Sequence, residues 1–247
     1  MRTIAKAWLA RHFPNWAADT AMRYLPVARF LRRRVRAGER VLEVGGGDYG
    51  LAPYWTGPFV LTDLRLFRRP EGRPKVEAST LQLPFADQGF DWVVSIDMLE
   101  HIPPASRTSA IGELCRVARR CVILGFPAGA AAARLDRALH ERHASCRTAP
   151  AAFLAEHVAN TLPDPQESEN VLRRALARGN GNVVMDRRPN GPLWLTRWLL
   201  EVQFRDGFPW SVLNYGVFVI LSPLFSLLRP RRAYRALLFA ERSSSLE

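Results

Sequence analysis

Short apolar runs recur between residues 40 and 125 and alternate with polar, turn-rich or helix-spaced stretches. Strands are expected at 40–45, 59–63, 74–77, 91–96 and 120–125. Leu83-Pro84-Phe85 with Asp87-Gln88-Gly89 reads as a loop and turn before the fourth run. Ile111 to Ala118 has the apolar spacing of a helix crossing back to the sheet, with Thr108 or Ser109 near its start. A helix after the first strand, beginning near Tyr49 to Pro53, is poorly signalled, because proline is tolerable only in a first turn. This alternation predicts an α/β fold with a doubly wound, mostly parallel sheet. Ligands bind such sheets past the carboxyl ends of the strands. The loops at 45–50, 63–67, 78–81 and 97–103 are therefore the predicted site.

The flanks divide less clearly. Residues 1–36 read as an N-terminal helical arm in two pieces, broken near Pro14 and again around Pro26. The arm either packs over a cleft or sheet edge or lies at an interface as an amphipathic segment. Residues 37–127 form the cofactor-binding half of the domain. Residues 128–189 form its second half, with helices at 135–143, 151–159 and 168–178 and a late strand at 182–186. Residues 190–230 are apolar and aromatic and read as a helical cap or insertion. Within them Trp210 to Leu228 carries no charge in 19 residues. It reads first as a buried cap or homodimer face, then as a membrane-dipping helix, and last as a span. Residues 231–242 hold the final strand, and 243–247 a loose tail.

The chemistry points to the first loop. Val41-Leu42 and Val44 lead into Gly45, Gly46, Gly47 and Gly50, which fit G-x-G-x-x-G at Gly45, Gly47 and Gly50. Glycines past a strand let the backbone approach a ligand. Asp63 ends the second apolar run 18 residues after Gly45, close to the distance at which a carboxylate meets ribose hydroxyls. A nucleoside-containing cofactor is expected. Glu43, two residues before the first glycine, would repel a pyrophosphate, which argues against a dinucleotide or ATP, and there is no G-K-S/T.

Composition adds limits. At 247 residues and 48% apolar, the chain can bury a full core. Cys115, Cys121 and Cys146 form no close pair, and the five histidines form no H-E-x-x-H, so no metal is expected. Pro14 and Asn15 interrupt the basic N-terminus, and no signal peptide is expected. Those features suggest a cytoplasmic protein, with peripheral association to the inner membrane face as an addition. The net charge of +12 is local: six arginines lie between Arg29 and Arg40 and four between Arg229 and Arg235. Such patches suit an anionic membrane surface or nucleic acid, and serve equally as a solvated face. No helix-turn-helix, zinc finger or RNP motif is present, which makes nucleic acid the weaker partner.

VLEVGGGDYG at 41–50, VLTD at 60–63 and LPFADQGFDWVVSIDMLEHIP at 83–103 together resemble a class I S-adenosylmethionine-dependent methyltransferase, of the type 11 domain branch. LAEHVANTLPDP at 154–165 is similar to segments of bacterial relatives. The resemblance implies a Rossmann-like, seven-stranded sheet and S-adenosyl-L-methionine as cofactor. It places Glu43 near the methionine ammonium, Gly45, Gly46 and Gly47 along the methionine and ribose, and Asp63 on the ribose hydroxyls. Leu64 would flank adenine, with Ser79, Thr80 and Leu81 beside the ring, and Asp97, Met98 and Leu99 would border the transferring methyl. Tyr49 stands at the third glycine position, and Ser79 where an aspartate is common.

The implied reaction is methyl transfer to a small, apolar or amphiphilic molecule. His101 is the first candidate for a general base, with Glu100 and Asp97 as alternatives. His140, His143, Trp194, Trp198 and Tyr215 are expected to line the substrate pocket. Other readings are a catalytically degenerate fold acting as a membrane-peripheral scaffold, and a nucleic-acid methyltransferase. Asp97-Met98-Leu99-Glu100 stands where N/D-P-P-Y/F would mark amino methylation of bases.

Overall fold

The first strand, β1 (Val41–Val44), is buried along its whole length and lies inside a seven-stranded sheet of order β3-β2-β1-β4-β5-β7-β6. Its parallel neighbours are β2 (Val60–Asp63) and β4 (Phe90–Ile96); β3 (Lys75–Glu77) pairs with β2, and β5 (Ala118–Pro127) with β4, also in parallel. Two strands run the other way relative to their neighbours: β7 (Ala233–Arg242) is antiparallel to β5, and β6 (Val183–Pro192) to β7. Strand order reverses between β1 and β4, which sets the crevice at their carboxyl ends. The structure, a computed structural model, describes residues 18–47, 50–66, 73–145, 152–177, 182–203 and 218–243.

Both faces of the sheet are covered because the strands alternate their side chains. On one face Leu42, Val44, Val93, Val122, Leu124 and Leu238 meet α2 (Pro104–Val117) and α5 (Pro165–Leu176) through Leu114 and Leu172. On the other, Val41, Leu61, Trp92, Val94, Ile123 and Phe239 meet α1 (Ala18–Arg34) through Tyr24, Leu25, Ala28 and Leu31. The helices α3 (Gly129–Ser145) and α4 (Ala152–Asn160) pack together. Two more, α6 (Leu193–Gln203) and α7 (Phe218–Phe225), lean on α1 near Ala18 and Met22.

Helix α1 runs unbroken through Pro26, contrary to the expected break. A proline there leaves the Met22 carbonyl, four residues back, without its helical donor. The side chain of Asn190, buried on β6, supplies a replacement at 2.9 Å. The arm residues 1–17, including the expected break at Pro14, lie outside the described residues.

Other boundaries also move. Residues 50–54 after the glycine loop form a turn, closed by Tyr54 and Trp55 N–H on the Leu51 carbonyl, where a helix was expected. Helix α5 begins at Pro165, before the expected Ser168, because Asp164 caps it by accepting from the Glu167 N–H at 2.8 Å. Helices α2 and α3 likewise begin earlier, at Pro104 and Gly129. Strand β6 continues to Pro192, so the start of the region read as a cap belongs to the sheet. Of the charge-free stretch 210–228, residues 210–217 lie outside the described residues, and α7 occupies 218–225. Among the described residues no helix is long and apolar enough to cross a membrane.

Much of the 29–40 arginine run is used internally. Arg29 donates to the Pro223 carbonyl at 2.9 Å, Arg32 to the Tyr54 carbonyl at 2.5 Å, and Arg34 pairs with Glu241 at 3.2 Å.

Candidate functional site

Each glycine of the first loop meets a different constraint. Gly45 has φ +76 and a Cβ there would stand 2.6 Å from the Met98 Cγ. A Cβ on Gly46 would stand 2.5 Å from the Glu43 Cδ, and one on Gly50 would also strike that carboxylate. Glu43 is fully buried beneath the loop, where both of its oxygens accept from the Leu51 N–H at 2.9 and 3.0 Å. Burial pushes its carboxyl up to about 7, against the Leu51 N–H and the Tyr24 hydroxyl. Gly47 differs: at φ +61, a Cβ would meet nothing within 4 Å among the described residues. Its N–H donates to the Asp63 carboxylate at 2.8 Å.

Asp63 ends β2 and also accepts from the Leu64 N–H at 2.7 Å. Leu64, next in the chain, and Leu81, in the turn after β3, expose 68% and 45% of their surface. Ser79, Thr80 and Leu81 lie in a tight turn, with the Ser79 hydroxyl accepting from the Leu81 N–H at 3.2 Å. Open space over Gly47, a partly exposed carboxylate and two bare leucines fit an adenosyl group: ribose hydroxyls, then an apolar ring. Tyr49 lies outside the described residues.

The turn after β4 carries the charged part of the site. Asp97 has φ +52, and its N–H donates to the Gly125 carbonyl at 2.8 Å. Its carboxylate takes Arg23 of α1 at 2.5 Å and the Nε of Arg235 of β7 at 2.8 and 2.9 Å. Burial alone would raise the Asp97 carboxyl, but Arg235 and Arg23 outweigh it and hold it below the usual range. Met98 is buried against Gly45. Leu99, Glu100 and His101 form one 3-10 turn. Glu100 is fully buried with neither oxygen hydrogen-bonded, and burial followed by the Asp97 charge raises it well above the usual carboxylate range. His101 bonds through Nδ1 to Glu156 at 2.5 Å, and its ring lies 5.2 Å from that of His157.

A groove of about 640 Å³ opens between α3 and α6. Ala131, Leu135, Leu139, Leu193 and Trp194 give it apolar walls, and Arg134, Arg142, Arg197 and Arg232 surround them with Glu201. Leu193 and Arg232 adjoin the ends of β6 and β7 that pair Pro192 with Ala233, beside the carboxyl end of β5. The groove thus shares the sheet edge that carries Asp97. Trp194 lines it, whereas Trp198 packs towards α1 with Leu195 and Phe225. His140 does not line it, and its Nδ1 is buried without a hydrogen bond. The side chain of His143 and all of Tyr215 lie outside the described residues.

Sequence reading missed Arg23, Arg235 and His157. The two arginines sit far apart in sequence, in segments that show no motif. His157 had a signal: Glu156-His157 repeats the dipeptide Glu100-His101.

The family model of a methyltransferase domain matches residues 60–124, from β2 into β5. No curated protein matches the chain in sequence. Among solved structures, the chain is similar to one of the Haloferax volcanii Trm112 methyltransferase activator in complex with a methyltransferase. That match has 14% identity and a TM-score of 0.50, covering 98% of this chain and 97% of that one. It is similar also to a sarcosine dimethylglycine methyltransferase from Galdieria sulphuraria, at 12% identity and TM-score 0.51, over 89% and 84%. The cyclase SpnF shares the fold at 13% identity and TM-score 0.52, over 87% and 80%. A fold that serves both a cyclase and methyltransferases does not name an activity. The methyltransferase-domain match covers residues 60–124, and the seven-stranded, mostly parallel sheet with flanking helices has the class I methyltransferase, Rossmann-like fold.

Proposed function

We propose that the chain methylates a small anionic amphiphile held in the groove between α3 and α6. The groove carries this reading: apolar walls suit a hydrocarbon or ring system, and four arginines against one glutamate suit a carboxylate or phosphate. When bound, S-adenosylmethionine supplies an activated methyl group. The protein's work is to align the acceptor and exclude water. Asp63 would hold the ribose hydroxyls, and Leu64 and Leu81 would flank the adenine. Asp97, held ionised with both oxygens taken, fixes the turn after β4 and is poorly suited to accept a proton.

The test is methyl transfer from radiolabelled cofactor to a long-chain fatty acid, an isoprenoid phosphate, and RNA and DNA oligonucleotides. The proposal expects labelled amphiphile, with KM raised at least about tenfold in Arg134→Glu and Arg232→Glu, since each reverses a charge near the ligand. Labelled nucleic acid alone, or an amphiphile KM unmoved by both substitutions, would overturn it.

A further inference from the structure

Two buried groups without a hydrogen-bond partner among the described residues face each other behind the turn after β4. The Nδ1 of His157 lies 2.8 Å from the Asp136 carboxylate, which also accepts from the Tyr234 hydroxyl at 2.6 Å. In the neutral imidazole that bond puts the proton on Nδ1 and leaves the Nε2 lone pair available to a ligand. Nε2 points at Glu100, 3.8 Å from its Oε1, and neither atom has a hydrogen-bond partner among the described residues. His157 is 5% exposed and Glu100 0%. A gap of 3.8 Å is too long for a hydrogen bond. Ligands sharing one ion through bonds of about 2.1 Å stand roughly 3 to 4 Å apart, which this gap fits.

His101 completes the set. Its Nδ1 is bonded to Glu156, so it too directs Nε2 away from a carboxylate partner. One donor atom from each of Glu100, His101 and His157 lies within 4.8 Å of the others. We propose that Glu100, His101 and His157 bind a divalent transition-metal cation, with Asp136 and Glu156 orienting the two imidazoles. Two imidazoles and one carboxylate form a borderline donor set suited to zinc, with a coordination position left open. His101, a third exposed at its side chain, is the way in. Glu100 is three residues past Asp97, so the open position is offered to an oxygen or nitrogen of the acceptor, which the cation would polarise. Only that last role rests on the methyl-transfer reading; occupancy does not.

The experiment is calorimetric titration of tag-free, chelator-treated full-length protein with zinc chloride, without cofactor. Cobalt chloride is titrated in parallel and followed by visible absorption. One equivalent of zinc should bind, with d–d bands from cobalt. Affinity should fall at least about tenfold in both Glu100→Gln and His101→Ala, and stay unchanged in His140→Ala. Circular dichroism verifies that each variant is folded; His101, on the rim, is the variant least exposed to that risk. No stoichiometric zinc binding, or binding that survives both substitutions, would overturn the proposal. Neither outcome bears on whether the protein binds S-adenosylmethionine.

Discussion

The side-chain amide of Asn190 donates to the carbonyl of Met22 at 2.9 Å, across 168 residues of chain. It fills the vacancy that Pro26 creates in α1 and ties that helix to β6. Asn190→Ala should therefore cost about 1–3 kcal/mol in urea denaturation, the usual price of a buried carbonyl left unpaired. Pro26→Ala restores a helical N–H, so in the double variant the loss should be smaller than in Asn190→Ala alone. Equal losses in the two backgrounds would show that the bond is incidental.

Asp97 holds two guanidiniums with one carboxylate. Asp97→Asn removes the carboxylate that Arg23 and Arg235 share, leaving Arg23 with Asp19 at 3.1 Å and Arg235 without its Asp97 partner. Loss of one partner from a buried ionic group costs about 3–5 kcal/mol, and the unfolding free energy from urea denaturation should fall by that much. Arg23→Ala should cost less, because the Nε of Arg235 still reaches both Asp97 oxygens.

The carboxyl of Glu43 gives a pH dependence of definite sign. Its folded value of about 7 lies above the ordinary 4.5, so the fold favours the neutral form. The stability it contributes is fully present below 4.5 and is lost as pH rises towards 7. The difference in unfolding free energy between wild type and Glu43→Gln should drift over that window, by an amount on the order of 3 kcal/mol. A flat difference would contradict the burial argument.

Neighbouring glycines should respond differently to alanine. At Gly46 the added methyl strikes Glu43, and thermal stability should drop. At Gly47 it enters open space at φ +61, at a cost of about 1–2 kcal/mol in backbone strain. Cofactor affinity, measured by titration, should instead fall at least about tenfold in Gly47→Ala, because the methyl occupies the cradle.

The sheet was legible because its strands are buried on both faces and so read as apolar runs: Val41 to Val44 and Phe90 to Ile96 need no partner to be recognised. Edge strand β6 was legible only at 182–186, because Arg187, Arg188 and Pro189 break the pattern of its continuation to Pro192. It survives at an edge, where a missing donor is tolerated and Arg188 lies 4.5 Å over the Phe239 ring. Pro26 misled because its compensation comes from Asn190, which local reading cannot supply. The glycine loop and Asp63 were visible as a motif. Arg23, Arg235 and His157 were not, because only the closed sheet brings α1, α4 and β7 to the turn at Asp97.

The account turns on Asp63 as the anchor of the cofactor, and one titration tests it most directly. Calorimetry of the purified protein with S-adenosylmethionine and S-adenosylhomocysteine should give binding of both, weakened about thirtyfold or more in a folded Asp63→Ala variant, as expected for lost hydrogen bonds to a charged acceptor. Unchanged affinity in Asp63→Ala, or no binding of either ligand by folded wild-type protein, would contradict it.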